Sequence, residues 1–587
     1  MRKWNLDPLF PGFESEEFKS TIDTIKAQIE TSKKFAASLD ERTDTLEILK
    51  AYVQLASDIR HNLSRAYSYV NLVNATNAQD ETANAWMNTM QSLASELTPF
   101  NTKFIQWIAN VEDLESYLDQ DPVLEEHRFH LSKLKENAKY VLSEEEETVI
   151  SKMQQTGSNA WSQLQGLLTS ILEVEYEGEK ITLPDVRNKA HSRDKDVRKK
   201  AYEAELKAYE KIEHSIAFAL NSIKGEVNEL TKMRGFESPL HQAVHDSRMK
   251  KETLDTLIEA MRENLPMFRA YLKRKGKLLG HENGLPWYDL FAPLGKSERT
   301  FDEDEAMDYV IENFKSFGDD LTNLAKRAKA ESWIDFTPRS GKRGGAFCAN
   351  LHPIKQSRIL TNFEGSFSNV ITLSHELGHA YHGDRIFDET ILNASYTMPV
   401  AETASTLCET IVKRAAIEES EGQEKLFILE QSVMGATQVI VDILSRFIFE
   451  KNVFDTRDER PISVPQLKKM MTDAQKEAYG EGLDQETLHP YMWVNKPHYY
   501  RGGLSFYNFP YAFGLLFAKG IYAYFKDQGK AAVPKIDHLL RKTGQMDVEE
   551  VAALLDIDVT DKAFWQRSFD VIKEEIDEFL ELTEAMQ

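Results

Sequence analysis

Cysteine is almost missing from this sequence: Cys348 and Cys408 are the only two among 587 residues. They lie far apart in the chain, so a paired-cysteine metal knuckle, a C-x-x-C redox motif and a disulfide framework are all excluded. A chain this long with so few thiols fits a reducing compartment. Basic residues are in the minority, with 71 Lys+Arg against 95 Asp+Glu and a formal net charge of −24. Nucleic-acid binding needs a cationic footprint that displaces counterions, and no basic patch stands out. No apolar run reaches the roughly 18 residues of a membrane span. The densest stretch, Phe513 to Phe525, is interrupted by Lys519 and Gly520. The opening Met1-Arg2-Lys3-Trp4-Asn5-Leu6-Asp7-Pro8 lacks the apolar core of a secretory signal. These absences predict a cytoplasmic protein that engages neither nucleic acid nor membrane.

What is present is helix. The length amounts to roughly three to four domain-equivalents, or one large helical enzyme. Glu16 to Leu39 carries Phe18, Ile22, Ile25, Ile29 and Phe35 at helical spacing. Similar stretches cover 44–77, 82–109, 143–171, 194–232, 251–280, 302–331, 422–453, 463–479, 512–527 and 561–584. Charge runs such as Glu144 to Glu147 read as solvated helix faces. Two places differ. Leu172 to Leu183 alternates around Glu177-Gly178 and predicts a hairpin. Trp333 to Phe363 holds short β-prone segments between turn residues and predicts two or three strands. The best soft boundary lies near 185–200, giving an N-terminal helical region with a hairpin over 1–195 and a helical catalytic domain over 196–587.

The chemistry concentrates in Ser368 to Gly383, which contains His375-Glu376-Leu377-Gly378-His379, the H-E-x-x-H pattern. On a helix, residues i and i+4 share a face about 6 Å apart, so two imidazoles can converge on one tetrahedral zinc ion. Glu376 then stands beside the open coordination position as a general base for a water. Ser366 or Ser368 is the expected helix cap and Gly383 the expected stop. Downstream, Val400, Ala404, Leu407 and Ile411 predict a second amphipathic helix with Pro399 in its first turn. Packed beside the first, it can present Glu402 as third ligand, completing a His₂Glu set. Glu409, two turns on, is either an acceptor for a ligating imidazole or a solvated carboxylate. His382 shares the motif face, but one helix does not readily deliver three ligands to one ion, and its spacing fails the metzincin pattern.

These residues resemble the zinc oligopeptidases of the thimet oligopeptidase and oligoendopeptidase F group, the bacterial oligoendopeptidase F branch above all. His375-Glu-Leu-Gly-His-Ala-Tyr-His382 resembles that family's H-E-x-G-H-x-x-H, and Glu402-Thr-Ala-Ser-Thr-Leu-Cys-Glu409 its second motif. Gly341 to Phe347 and Ile359 to Phe363 resemble its strand region, Trp4 to Phe10 its opening, and His498 to Gly514 its His/Tyr segment. The resemblance implies a mainly α, ellipsoidal zincin-type metallopeptidase with a small β region beside the zinc helix and a deep substrate channel. It implies one Zn²⁺ and short unfolded peptides as substrates, and leaves the oligomeric state open. It also implies that His498 and at least one of Tyr507 and Tyr511 stabilise the oxyanion that forms when water attacks a peptide carbonyl; without it those aromatics would read as core. Leu504 and Asn508 stand where relatives carry Tyr. Pro510 is expected to open a helix just before Tyr511. The strand over 344–350 can lend backbone groups to an extended peptide or serve structure alone.

The expected reaction is endopeptidase hydrolysis of oligopeptides. An exopeptidase of the peptidyl-dipeptidase type and a non-enzymatic peptide-binding scaffold are the alternatives. A gluzincin aminopeptidase is disfavoured because no G-x-M-E-N segment precedes the motif.

Overall fold

A computed structural model describes residues 3–585; Met1 and Arg2 of the opening segment lie outside the described residues. The helices expected from apolar periodicity form, and several divide where the sequence gives a reason. The stretch over 143–171 becomes Glu144–Thr156 and Ser158–Ser170, parted at Gly157, where a Cβ would meet the Glu226 carboxylate at 2.6 Å. The stretch over 82–109 becomes Glu81–Ser95 and Thr98–Ala109, with Pro99 opening the second helix. Ser15, Ser143 and Asp302 each accept a backbone N–H at a helix start, satisfying donors that the first turn leaves unpaired.

The chain forms two compact units, each assembled from three stretches of sequence. One comprises Met1–Val141, Arg299–Ala415 and Tyr524–Ile557; the other comprises Leu142–Glu298, Ala416–Ala523 and Asp558–Gln587. Compactness therefore follows a different division from a single cut at 195/196. The hairpin, β1 (Glu173–Tyr176) paired antiparallel with β2 (Glu179–Thr182), packs against the helix Lys195–Tyr209 that follows it, inside one unit.

The first unit contains a three-stranded sheet: β3 (Ile334–Asp335), β4 (Phe347–Leu351) and β5 (Gln356–Leu360), in the order β3-β5-β4. β5 runs parallel to β3 and antiparallel to β4, which leaves β4 at an edge. The opening of the chain anchors this sheet. Trp4, Leu9 and Phe10 join a core with Phe18, Ile22, Leu351 and Leu360. The backbone N–H of Asn5 donates to the Ser332 carbonyl at 2.8 Å, and Arg358 Nε donates to the Asn5 carbonyl at 2.6 Å. Asp335, almost fully buried, takes hydrogen bonds from Arg339 and an ion pair from Lys342, which fixes the glycine-rich loop leading into β4.

The second unit is a packing of long helices. Gly422–Glu459 is the one stretch among the described residues with the length and hydropathy of a membrane span, and 67% of its apolar window is buried inside the molecule. Three of its carboxylates are matched by cations within the same unit: Glu430 by Lys275 at 2.5 Å, Asp442 by Arg446, and Glu450 by Lys224 at 2.7 Å. Removing one partner of such a buried pair typically costs about 3–5 kcal/mol, because the other charge is left without compensation.

Candidate metal centre

The H-E-x-x-H segment lies on the helix Phe367–Ile386. Ser366 caps it: its hydroxyl accepts from the Asn369 N–H, and the Asn369 side chain accepts from the Ser366 N–H. The helix does not stop at Gly383 as expected but continues to Ile386. Gly383 instead makes room for a neighbour, since a Cβ there would lie 2.4 Å from the Asn350 amide. Asn350 on β4 donates to the His379 carbonyl at 3.1 Å, tying the edge strand to the motif helix.

The second motif is not one continuous helix. Met398–Ala401 forms a single turn, Glu402 sits at the junction, and the helix Thr403–Glu419 follows. Gly378 sets how closely these elements approach. A Cβ at that position would lie 2.5 Å from the Ser405 Cα and 2.6 Å from the Ala404 carbonyl oxygen. Only glycine lets the motif helix rest on that backbone, and this contact brings Glu402 to the two histidines.

The result is a compact donor triangle. His375, His379 and Glu402 each offer one ligand atom, all within 4.8 Å of one another. His375 Nε2 lies 3.2 Å and His379 Nε2 3.5 Å from Glu402 Oε2. Ligands about 2.0–2.1 Å from a tetrahedral zinc ion stand about 3.3 Å apart, so these side chains fit the ion in spacing and in donor chemistry. Their outer atoms are also engaged. His375 Nδ1 lies 3.0 Å from Glu409 Oε2, and Glu409 is paired with Lys413. Ser405 donates to Glu402 Oε2 at 2.9 Å. Glu409 is thus an imidazole acceptor, one of the two readings open from sequence.

Electrostatics separates the members of this cluster. Burial opposes charge on His375, but hydrogen bonds to Glu402 and Glu409 outweigh it and carry the ring up to about 10. Burial and the charge of His375 push His379 down to about 4. Burial raises Glu376 to about 7, with His375 opposing and Glu402 assisting. Glu376 Oε2 is buried with no protein partner, an acceptor left for something else. His382 stands apart from the triangle: fully buried, it stacks on Tyr396 with centroids 4.1 Å apart and bonds the Thr543 hydroxyl at 2.8 Å.

The remaining expected residues gather in the second unit. His498 lies on the short turn Pro497–Tyr500, and Tyr511 lies in the first turn of the helix Phe509–Gln528, which Pro510 helps to open as expected. The rings of His498 and Tyr507 are 5.5 Å apart, and the Tyr507 and Tyr511 hydroxyls are hydrogen-bonded to each other. Sequence reading missed the residues that hold this group. Asn508 Nδ2 donates to His498 Nε2 at 2.9 Å, Arg446 reaches Asn508 Oδ1 at 3.4 Å, and Asp442 pairs with Arg446. A visible signal existed, since Asp442 and Arg446 are opposite charges at i,i+4 within an otherwise apolar run. Asp442 ends a π-helical segment, Gln438–Asp442, a distortion often found at functional sites.

Comparisons with known proteins give the family. Residues 189–571 match the model of peptidase family M3, and residues 109–173 match that of oligopeptidase F. Oligopeptidase PepF of Bacillus subtilis is 23% identical over 99% of this chain and 87% of its own length. An oligoendopeptidase F homolog of Borreliella burgdorferi is 24% identical over 98% and 97%. The oligoendopeptidase-F structure from Enterococcus faecium superposes with a TM-score of 0.72 at 20% identity, covering 97% of this chain and 99% of that one. Metallocarboxypeptidase 1 of Trypanosoma cruzi shares the fold more distantly, with a TM-score of 0.55 at 14% identity over 89% and 99%. With the family match spanning well over half of the residues and the H-E-x-x-H helix inside it, the chain belongs to peptidase family M3 and carries an oligopeptidase F segment in its N-terminal part.

Proposed function

We propose that this peptidase is a zinc-dependent endopeptidase of short, unfolded oligopeptides. The observation that carries the reading is the triangle of His375, His379 and Glu402 with Glu376 beside it. In this reading those three residues hold one Zn²⁺; donor type favours zinc, with cellular availability behind it. When bound, the ion supplies Lewis-acid polarisation and brings the pKa of water toward about 7. Glu376 accepts a proton from the attacking water at Oε2 and later delivers it to the leaving amine nitrogen. His498 accepts from Asn508 through Nε2, so its proton resides on Nδ1 and can be donated to a developing oxyanion. Of the Tyr507 and Tyr511 hydroxyls one donates to the other's oxygen, and the accepting hydroxyl keeps a proton that it can donate to a third group. β4, at its sheet edge and bonded to the motif helix through Asn350, suits an extended peptide. Both cysteines are free thiols, in keeping with action in a reducing cytoplasm.

An oligoendopeptidase and a metallocarboxypeptidase share this fold, so fold does not choose between internal and terminal cleavage. The test is mass spectrometry of blocked and unblocked peptides incubated with wild type and with Glu376→Gln, each assayed for bound zinc. We expect internal cuts by wild type and a zinc-loaded Glu376→Gln slowed roughly 10²–10⁴-fold. Cuts confined to free termini would establish the exopeptidase instead, and a zinc-loaded wild type that cleaves nothing would leave a binding scaffold.

A further inference from the structure

The second unit holds a cavity of about 210 Å³ that the chemistry above does not use. It is smaller than the roughly 300–1,000 Å³ of a pocket for a whole small-molecule ligand, and so has room for one end or one side chain of something larger. Four cations line it: Arg187, Arg198, Arg446 and Lys496. Three are matched by carboxylates. Arg187 donates to Glu205 at 3.1 Å, Arg198 Nε donates to Asp289 at 2.7 Å, and Arg446 pairs with Asp442. Lys496 is the exception. Among the described residues its ammonium has no hydrogen bond and no ion pair, only longer-range interactions with charges around the cavity. The Nε of Arg446 is also buried without a partner. The wall thus presents one cation more than its carboxylates neutralise, beside the apolar faces of Trp287 and Phe291. Holding a charge partly out of water without a partner costs free energy that a bound anion would recover.

The position of Lys496 connects this cavity to the proposed chemistry. Lys496 immediately precedes the turn Pro497–Tyr500 that carries His498. Arg446, on the same cavity wall, reaches His498 through Asn508. A ligand seated here would therefore be held in register with His498. Burial and the charge of Arg446 lower Lys496 to about 8, so the ammonium keeps its proton at neutral pH.

We propose that this cavity is a subsite for a carboxylate of the peptide substrate, at its C-terminus or on an acidic side chain, with Lys496 as the recognising cation. The inference rests on the peptidase reading above. The experiment uses the zinc-loaded full chain and three otherwise identical peptides: a free acid, its C-terminal amide, and the amide with Glu in place of one Gln. For wild type, kcat/KM for at least one carboxylate-bearing peptide exceeds that of the uncharged amide about tenfold or more, and which one does so identifies the source of the carboxylate. The ratio falls to about one in Lys496→Gln and is retained in Lys496→Arg, with thermal unfolding confirming that both variants fold. Equal rates for all three peptides in wild type, or a ratio that survives Lys496→Gln, would overturn the proposal. If wild type cleaves none of them, the peptidase reading falls by itself. Calorimetric binding of the same peptides to wild type and Lys496→Gln then decides the subsite on the same ratio.

Discussion

His375 and His498 are both half-buried imidazoles, and their surroundings drive them in opposite directions. Two carboxylates, Glu402 and Glu409, flank His375 and raise it to about 10. Burial and then a ring of cations led by Arg446 and Lys496 lower His498 to about 3. The first environment suits a cation: its acceptors converge, and in the proposed reading a metal ion would satisfy them. The second holds its imidazole neutral at neutral pH, which suits the proposed role of His498 as donor of an uncharged N–H. The supports differ in the same way. The proposed metal triangle stands on the motif helix and on the junction at Glu402, whose approach is set by Gly378. The His498 group stands on a short turn and a helix start, held by an ion pair more than fifty positions upstream.

The widest separation between the two clusters comes from His498→Gln. Loss of an oxyanion donor costs about 10²–10³ in kcat. Because His498 is neutral above about 3, the substitution lowers the plateau of the pH–rate profile and leaves its acid limb in place. A limb that shifts with the substitution would mean that His498 titrates during turnover, and the contrast with His375 would fail. Gly378→Ala strikes the other cluster through its support. The new methyl meets backbone that cannot yield by rotating a side chain, so the helices must part and Glu402 must move. We expect roughly a 10²-fold loss of activity, weaker zinc retention, and about 1–3 kcal/mol lost in denaturant unfolding. Retention of both zinc and activity would show that the approach at Gly378 is not what positions the carboxylate.

Asn508→Leu sharpens the contrast at smaller amplitude. It removes the bond to His498 Nε2 without touching the proposed donor nitrogen. As a positioning residue, Asn508 should affect kcat by about tenfold with little change in KM, and Asn508→Gln should recover part of the loss. A change confined to KM would place Asn508 in substrate binding instead.

The metal triangle was legible because its information is local. Two histidines four apart share a helix face whatever the rest of the chain does, and the next helix follows within a few turns. Even there, spacing did not reveal that Glu402 sits at a break between two helical pieces or that Gly383 makes room for Asn350. Both depend on backbone approach between elements, which periodicity does not encode. The sheet was legible from its β-prone segments, but its order, with β5 central and β4 at the edge, was not, because register is a tertiary property. The group around His498 was the least legible. Asp442, Arg446 and Asn508 are brought together by long-range packing, and the i,i+4 charge pair in an apolar run does not say which residue it serves. The compact units follow the same logic, since each is closed by stretches far apart in the chain.

The smallest expected effect on rate also tests the helical cluster most finely. The Ser405 hydroxyl donates to Glu402 Oε2, the carboxylate oxygen that faces both imidazoles. In the zinc reading this bond would have two consequences. It orients the carboxylate, which favours the ion, and it draws electron density from the ligating oxygen, which opposes it. If orientation dominates, Ser405→Ala weakens zinc binding by about tenfold, as outer-sphere substitutions commonly do. At saturating zinc, kcat would then stay within about twofold of wild type, because no reacting group has been altered. Zinc titration against a competing chelator, with kcat measured at saturation, separates the two consequences. Tighter zinc binding in Ser405→Ala would show that the hydroxyl restrains the ligand more than it aims it, and the geometric reading of the triangle would have to give way to an electronic one.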